Sequence, residues 1–322
     1  MKSDPTFPER VASIDIGTNT ILLLIAEVNK GVLKPLLEKE TIVRLGERVH
    51  RNGVLLEGAI ERGIQTLTQY LRDCREMDVQ RIFAAGTSAL REAKNAGDFL
   101  KRVEEKLNLA IEIISGEEEA QLSFLAVARD LGNPEKPILV VDVGGGSTEV
   151  VLGKGNQISH CVSLPVGSVR FTEQFLLSDP VRQEEWVAME NEIIKGLGKV
   201  PPPQKSFTMV AVGGTATTLA SVELGLEHFV YKEIHHFVLG RKALKGQLGL
   251  YRSKTLEERR KIPGLFPARA DVILAGGAIL YFAMEKLEVP SVLISCHGVR
   301  YGLLYKKLQI LNCKSQIEKS KT

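Results

Sequence analysis

Two short stretches, 127 positions apart (142 − 15), constrain this chain more than anything else in it. Residues 11–28 read VASIDIGTNTILLLIAEV, and residues 138–153 read ILVVDVGGGSTEVVLG. Each is an apolar, β-branched run, then a polar or glycine-rich turn, then a second apolar run. That is the pattern of two strands joined by a tight turn. With Asp15 set on Asp142, Gly17 falls on Gly144 and Thr20 on Ser147. Such an internal repeat means that one structural plan is used twice.

The segments after each turn fill in the plan. Residues 57–77 carry a helical period through Ala59, Ile60, Ile64, Leu67 and Leu71. A short strand follows at Arg81–Ala85, then a helix at Phe99–Leu107, a strand at Ile111–Ile114 and a helix opening at Ser115. In the second copy, VAVGGTATTLA (210–220) and VILAGGAILYFA (272–283) each read as strand, double glycine, helix. PPPQK (201–205) reads as a loop and the charged tail CKSQIEKSKT as a frayed end. The pattern predicts an α/β chain of two similar lobes, with the repeated turns lining a cleft between them. Residues 1–127 with 304–322 make the first lobe and residues 128–303 the second.

Composition narrows the partners. The length of 322 residues fits two domains of ~150 each. A net charge of +3 speaks against a nucleic-acid binder, yet leaves room for an anion held by a few local Arg and Lys. Four dispersed cysteines, with no CxxC pair, read as structural thiols of a reducing compartment. The polar N-terminus does not resemble a secretory leader, and Ile21–Ala26 is too short to span a bilayer. A cytoplasmic protein without membrane contact is expected.

The chemistry sits in the turns. In DVGGGSTEV (142–150), three glycines let the backbone approach an anion and point successive N–H groups at it. Ser147 and Thr148 add hydroxyls. Because Glu149 continues into a strand, a dinucleotide fold is excluded, and no GK[ST] follows for a P-loop. A plain glycine-rich hairpin is the bland alternative, but Asp142 and Glu149 are disfavoured in strands. Beside a phosphate turn they suit Mg²⁺. DIGTNT (15–20) is the sister turn, with Thr18, Asn19 and Thr20 as donors. AAGTSALREAKN (84–95) puts Gly86, Thr87 and Ser88 at a helix start, where free N–H groups bind anions, with Arg91 one turn on. Simple capping by Thr87 or Ser88 is the alternative there. GGTATT (213–218), with Gly214 and Thr215, is either a further phosphate turn or close strand–helix packing. His235 and His236 are adjacent, so on a strand they would face opposite ways and could not easily share an ion. SGEEEA (115–120) looks at first like helix-start decoration, Ser115 capping with Glu118 in a capping box and Glu117 on the helix dipole.

Two lobes with repeated D-x-G turns resemble the superfamily of acetate and sugar kinases, heat-shock chaperones and actin, whose lobes are actin-like, or ribonuclease H-like. Within it, IDIGTNT (14–20), GTSALREAKN (86–95), IISGEEEA (113–120), DVGGGSTEV (142–150), GGTATTLA (213–220), IPGLFPARADVILAGGAIL (262–280) and GVRYGLLY (298–305) are similar to the exopolyphosphatase and guanosine pentaphosphate phosphohydrolase family. The resemblance implies Mg²⁺-dependent hydrolysis, with Mn²⁺ an alternative, of a terminal phosphate. The substrate would be inorganic polyphosphate, or else a guanosine penta- or tetraphosphate; an ATP-dependent kinase or a non-catalytic phosphate sensor stands further off. A homodimer stays open. The family's catalytic base matches Glu119. That residue shares a helix row with Ser123, Ala126 and Asp130, which is small or polar and suits a wet site. Two departures stand out. Arg300-Tyr301-Gly302 replaces the family's Arg-Glu-Gly, and the chain ends before the extra helical domains of long members, which implies a weaker grip on long polymers.

Overall fold

The computed structural model describes residues 9–29, 32–132, 134–155, 157–201 and 206–308. The first sheet holds β1 (Glu9–Ile16), β2 (Thr20–Asn29), β3 (Val32–Ile42), β4 (Arg81–Gly86) and β5 (Ile111–Ile113) in the order β3-β2-β1-β4-β5. The first three form an antiparallel meander, and β4 and β5 extend it in parallel. Its helices are α1 (Val49–Asn52), α2 (Glu57–Glu76), α3 (Ser88–Glu92) and α4 (Ala96–Leu107). The second sheet holds β6 (Ile138–Val143), β7 (Thr148–Lys154), β8 (Gln157–Leu164), β9 (Thr208–Val212), β10 (Val238–Gly240) and β11 (Ser291–Ile294), in the order β10-β11-β9-β6-β7-β8. It repeats the plan: an antiparallel meander β6-β7-β8, then β9 and β11 in parallel, with β10 added antiparallel at the edge. Its helices are α5 (Gly116–Asp130), α6 (Ser168–Phe175), α7 (Gln183–Leu197), α8 (Gly213–Leu224), α9 (Tyr231–Ile234), α10 (Arg241–Arg252), α11 (Leu256–Arg259) and α12 (Ile273–Lys286). A last helix, α13, covers 299–308. Both sheets carry the three-plus-two order of a ribonuclease H-like lobe, as the repeat predicts.

The described chain divides into two compact units, after Ile114 and again before Val299. The break thus falls ahead of α5, rather than at 127, and α13 starts the return to the first unit at 299, rather than at 304. Packing explains both. One face of α5 (Ala120, Phe124, Val127) buries against Ile138, Val140, Val151, Val210 and Val212 of the second sheet. The other face of that sheet, through Leu139, Val141 and Val143, meets α7 and α12. Alternation along β6 therefore puts residues 138, 140 and 142 on the side that α5 covers. In the first unit, α2 lays Ile60, Leu67 and Tyr70 on Ile14, Ile16, Ile21 and Leu23. The Tyr70 hydroxyl reaches Ile21 O at 3.0 Å. Ser13 Oγ donates to Arg300 O at 2.7 Å, tying α13 to β1. Tyr301 is buried, and its hydroxyl donates to Glu38 Oε1 at 2.8 Å, with Arg300 on the same carboxylate.

One expected element is corrected. Residues 273–286 form an uninterrupted helix, α12, with no strand before the double glycine. The helix is apolar all round because it is buried all round, and such a run cannot be told from a strand by periodicity. Gly276 lies where a Cβ would meet Thr215 and Ser168, so its glycine serves close helix packing rather than a turn. The loop at 202–205 and the tail beyond 308 lie outside the described residues.

Candidate carboxylate and phosphate-turn site

The two D-x-G turns share a hydrogen-bond pattern. Gly17 N donates to Thr20 O at 2.9 Å, and Gly144 N to Ser147 O at 3.0 Å. Thr87 N donates to Ile16 O at 3.1 Å, and Thr215 Oγ1 to Val143 O at 3.2 Å, so a threonine at the helix after the fourth strand anchors each turn.

In the second unit, the carbonyls of the glycine turn all face α6. Ser168 N donates to Gly144 O, and Val169 N and Arg170 N donate to Gly145 O. Arg170 Nε donates to Gly146 O at 2.8 Å. Gly167 permits this approach, since a Cβ there would lie 2.4 Å from Gly145 O. With the carbonyls held, the Gly145 and Gly146 amides donate to no backbone acceptor among the described residues. Successive amides of this kind are an anion cradle. The hydroxyls do other work. Thr148 Oγ1 donates to Val166 O at 2.5 Å with no exposure, Thr215 serves Val143 O, and Ser147 acts on Glu149 by lowering its pKa. Thr148 therefore offers its place in the turn rather than its hydroxyl.

Three carboxylates gather beside this turn. Asp142 and Glu149 are direct cross-strand partners. Asp142 extends the row Ile138–Val140, and Glu149 the row of Val151, onto the face that α5 covers. From α5, Ser123 Oγ donates to Asp142 Oδ2 at 2.7 Å, and Glu119, one turn earlier, is buried close enough for its charge to act on Glu149. Ser115 caps this helix, its hydroxyl accepting from Glu118 N at 3.0 Å. Glu149 is 1% exposed, and Ser163 Oγ donates to its Oε1 at 2.7 Å, but its buried Oε2 has no partner. Burial, and then the charges of Glu119 and Asp142, push its pKa well above the usual carboxylate range against the bonds from Ser163 and Ser147. Burial likewise raises Asp142. The cross-strand pair Asp142 and Glu149, with its orphaned oxygen, suits a hard divalent cation, which would relieve the repulsion and satisfy Oε2.

At the head of α8, Gly213 sits at φ 85° with Asp142 Oδ1 where its Cβ would stand, 2.7 Å away. A Cβ on Gly214 would run into the guanidinium of buried Arg269, 2.0 Å from Nη2. Sequence reading passed over Ser123, Ser163 and Arg269 as site residues; only Ser123, one turn beyond Glu119, had a local signal.

In the first unit, Thr18 (7% exposed) and Asn19 (6%) lie in the sister turn. Val43 N and Arg44 N donate to Asn19 O and Gly46 N to Thr18 O, so the backbone is fixed, while Thr18 Oγ1 and both polar side-chain atoms of Asn19 lack partners. Thr20 opens β2. Arg91 Nη1 donates to Ile114 O at 3.0 Å. Thr87 and Ser88 do not cap α3 through their side chains; Ser88 Oγ instead donates to Glu92. Burial pushes the Cys74 thiol up to about 12 and the Cys161 thiol up to about 11, so neither is a ready nucleophile.

His235 and His236 depart from expectation. They follow α9 in a turn, not a strand, and His236 takes a left-handed backbone at φ 67°. That rotation brings both rings onto one carboxylate: His235 Nε2 lies 3.1 Å from Asp130 Oδ1 and His236 Nε2 2.9 Å from Oδ2.

The Ppx/GppA phosphatase family model matches residues 24–311. The chain belongs to this family. An exopolyphosphatase 2 of Mycobacterium tuberculosis is 34% identical over 91% of this chain and 97% of its own length. A bifunctional 3-dehydroquinate synthase/phosphatase of Fusobacterium nucleatum is 35% identical over 88% of this chain, which spans only 44% of that longer relative. Among solved structures, the Aquifex aeolicus Ppx/GppA family member superposes with a TM-score of 0.81 at 39% identity, covering 95% of this chain and 99% of that one. Among the described residues of the present chain, no helix is long and apolar enough to cross a membrane.

Proposed function

We propose that this Ppx/GppA family chain removes the terminal phosphate of inorganic polyphosphate by attack of water. The observation that carries the reading is the Glu119–Asp142–Glu149 cluster, closed beside an amide cradle and holding a carboxylate oxygen without a partner. The likeness to an exopolyphosphatase along almost its whole length supports it.

The residues divide the work. Glu119 orients the attacking water and takes its proton, the task of a positioned general base. The Gly145 and Gly146 amides bind the oxygens on which charge spreads during transfer. Thr18, Asn19 and Thr20 bind phosphate at the sister turn, where the idle polar atoms of Thr18 and Asn19 await an acceptor or donor. Gly214 and Thr215 shape the α8 end of the turn, and Arg91 adds positive charge. Asp142 and Glu149 would hold Mg²⁺ or Mn²⁺. Bound there, the cation supplies charge neutralisation for the phosphoryl oxygens.

Phosphate release from polyphosphates of defined length, measured beside pppGpp for wild type and Glu119→Gln, tests the reading. Faster release from the guanosine substrate than from any polyphosphate moves the same chemistry to pppGpp. No release from either, with divalent cation present, rejects hydrolysis.

A further inference from the structure

A second polar cluster stands at the far end of α5. Asp130 closes that helix, eleven residues past Glu119 (130 − 119), or about 16 Å along the axis. His235, His236 and His297 converge on its carboxylate, as does Ser295 Oγ at 3.2 Å. One donor atom each from Asp130, His235 and His297 lies within 4.8 Å of the others. The imidazoles stack, His235 on His236 at 3.9 Å and His297 at 4.7 Å from His235. These residues come from three separate segments of one unit: the end of α5, the turn after α9 and the loop after β11. Outer bonds orient them. Tyr231 hydroxyl lies 2.9 Å from His297 Nε2, and Ser295 Oγ also accepts from His297 N at 3.1 Å. His236 takes its left-handed backbone in the turn, with its N–H on Ile294 O at 2.7 Å.

We propose that Asp130, His235 and His297 form a binding site for a borderline divalent cation such as Zn²⁺, Co²⁺ or Ni²⁺, separate from the carboxylate cluster at Glu119. Two imidazoles and one carboxylate are the donor set of such ions, whereas Mg²⁺ prefers oxygen alone. Asp130 Oδ1 already stands 3.1 Å from His235 Nε2 and 3.4 Å from His297 Nδ1, close to the ~3.4 Å separations of a tetrahedral site with ~2.1 Å bonds. Half-exposed His236 (side chain 43% exposed) stands at the open side, on the other carboxylate oxygen. Tyr231 already suits a bound state: with the His297 Nε2 hydrogen donated to its hydroxyl, Nδ1 presents its lone pair on the Asp130 Oδ1 side, 3.4 Å away. His235 must change. Cys296 N donates to His235 Nδ1 at 3.1 Å, which leaves the imidazole hydrogen on Nε2, facing Asp130. Metal binding at Nε2 moves that hydrogen to Nδ1, with no net proton released there, and the Cys296 amide must let go. Loading therefore leaves a local signature that a nonspecific surface ion would not.

The test uses the full chain, stripped of metal and then given Zn²⁺ or Co²⁺ in the presence of excess Mg²⁺. The expected result is one Zn²⁺ retained per chain after desalting, visible ligand-field bands of low-coordinate Co²⁺, and a shift of the Cys296 amide resonance. Asp130→Asn and His297→Ala should each weaken uptake by ~10-fold or more, while His228→Ala, an exposed histidine elsewhere, should not. If Asp130→Asn does not fold, His297→Ala and His235→Ala carry the comparison, since neither removes the carboxylate. Substoichiometric uptake by the wild type overturns the proposal. So does stoichiometric uptake that survives His297→Ala, or binding that leaves the Cys296 amide unmoved.

Discussion

The turn at Gly17 and the turn at Gly144 are built alike and equipped differently. Both close with a glycine amide on the carbonyl three residues ahead, and both are anchored by a threonine from the helix after the fourth strand. The cross-strand pair beside each turn is Asp15↔Leu22 in the first unit and Asp142↔Glu149 in the second. One leucine-to-glutamate difference at equivalent register turns a half-apolar pair into a pair of acids. The first turn instead carries side-chain donors, Thr18 and Asn19, where the second has bare glycines. Duplication supplies a geometry twice; the substituents give one copy a buried pair of acids and the other a buried hydroxyl and amide side chain.

The largest effect should come from Glu119→Gln, which keeps the shape of the acid cluster and removes its base. Phosphate release should fall by ~10²-fold or more with substrate affinity retained; unchanged turnover would make the two turns equal partners in binding and leave the base elsewhere.

Glu149→Gln makes the second turn more like the first. Its folded pKa lies above the ordinary 4.5, so the folded state holds a proton more tightly than the unfolded chain. Without cation, the contribution of Glu149 to stability is therefore fully present below about 4.5 and is lost as pH rises through its folded pKa. The variant loses that penalty. Its cation-free melting temperature near neutral pH should rise by about 2–4 °C for each kcal/mol relieved, and the melting gain on adding Mg²⁺ should shrink. Calorimetry with and without EDTA checks both; a lower melting point in EDTA would contradict the buried-charge account.

Thr18→Val sharpens the other side. Its hydroxyl is buried without a partner, so its removal should cost little or no stability, while KM for phosphate release should rise severalfold. A destabilised variant with unchanged KM would make Thr18 structural. The smallest effect belongs to Ser115→Ala, a cap loss of about 1 kcal/mol by denaturant melt, with kcat close to wild type.

Local patterns made much of the fold legible. The paired strands around each turn, α2 with its regular apolar face, and the cap at Ser115 all depend on neighbours within a few residues. The edge strand β3 escaped notice because VLKPLLEKETI is mostly half-exposed and mixes charge with apolar residues. α12 misled because burial on every side erases the helical stripe. His235 and His236 misled because a left-handed residue voids the alternation rule that separates neighbours on a strand.

The sequence by itself determined that one sheet-building plan occurs twice, that each copy carries a D-x-G turn, and that Glu119 begins a capped helix. Tertiary structure alone decided that α5 belongs to the second sheet, and so which acids share a neighbourhood. Strand alternation fixes which face Asp142 and Glu149 occupy. Only the packing of Phe124 and Val127 on that face brings Ser123 and Glu119 to them at one end of the helix and Asp130 to three histidines at the other. Hydrophobic burial chooses the face, and the polar chemistry at both ends follows from that choice.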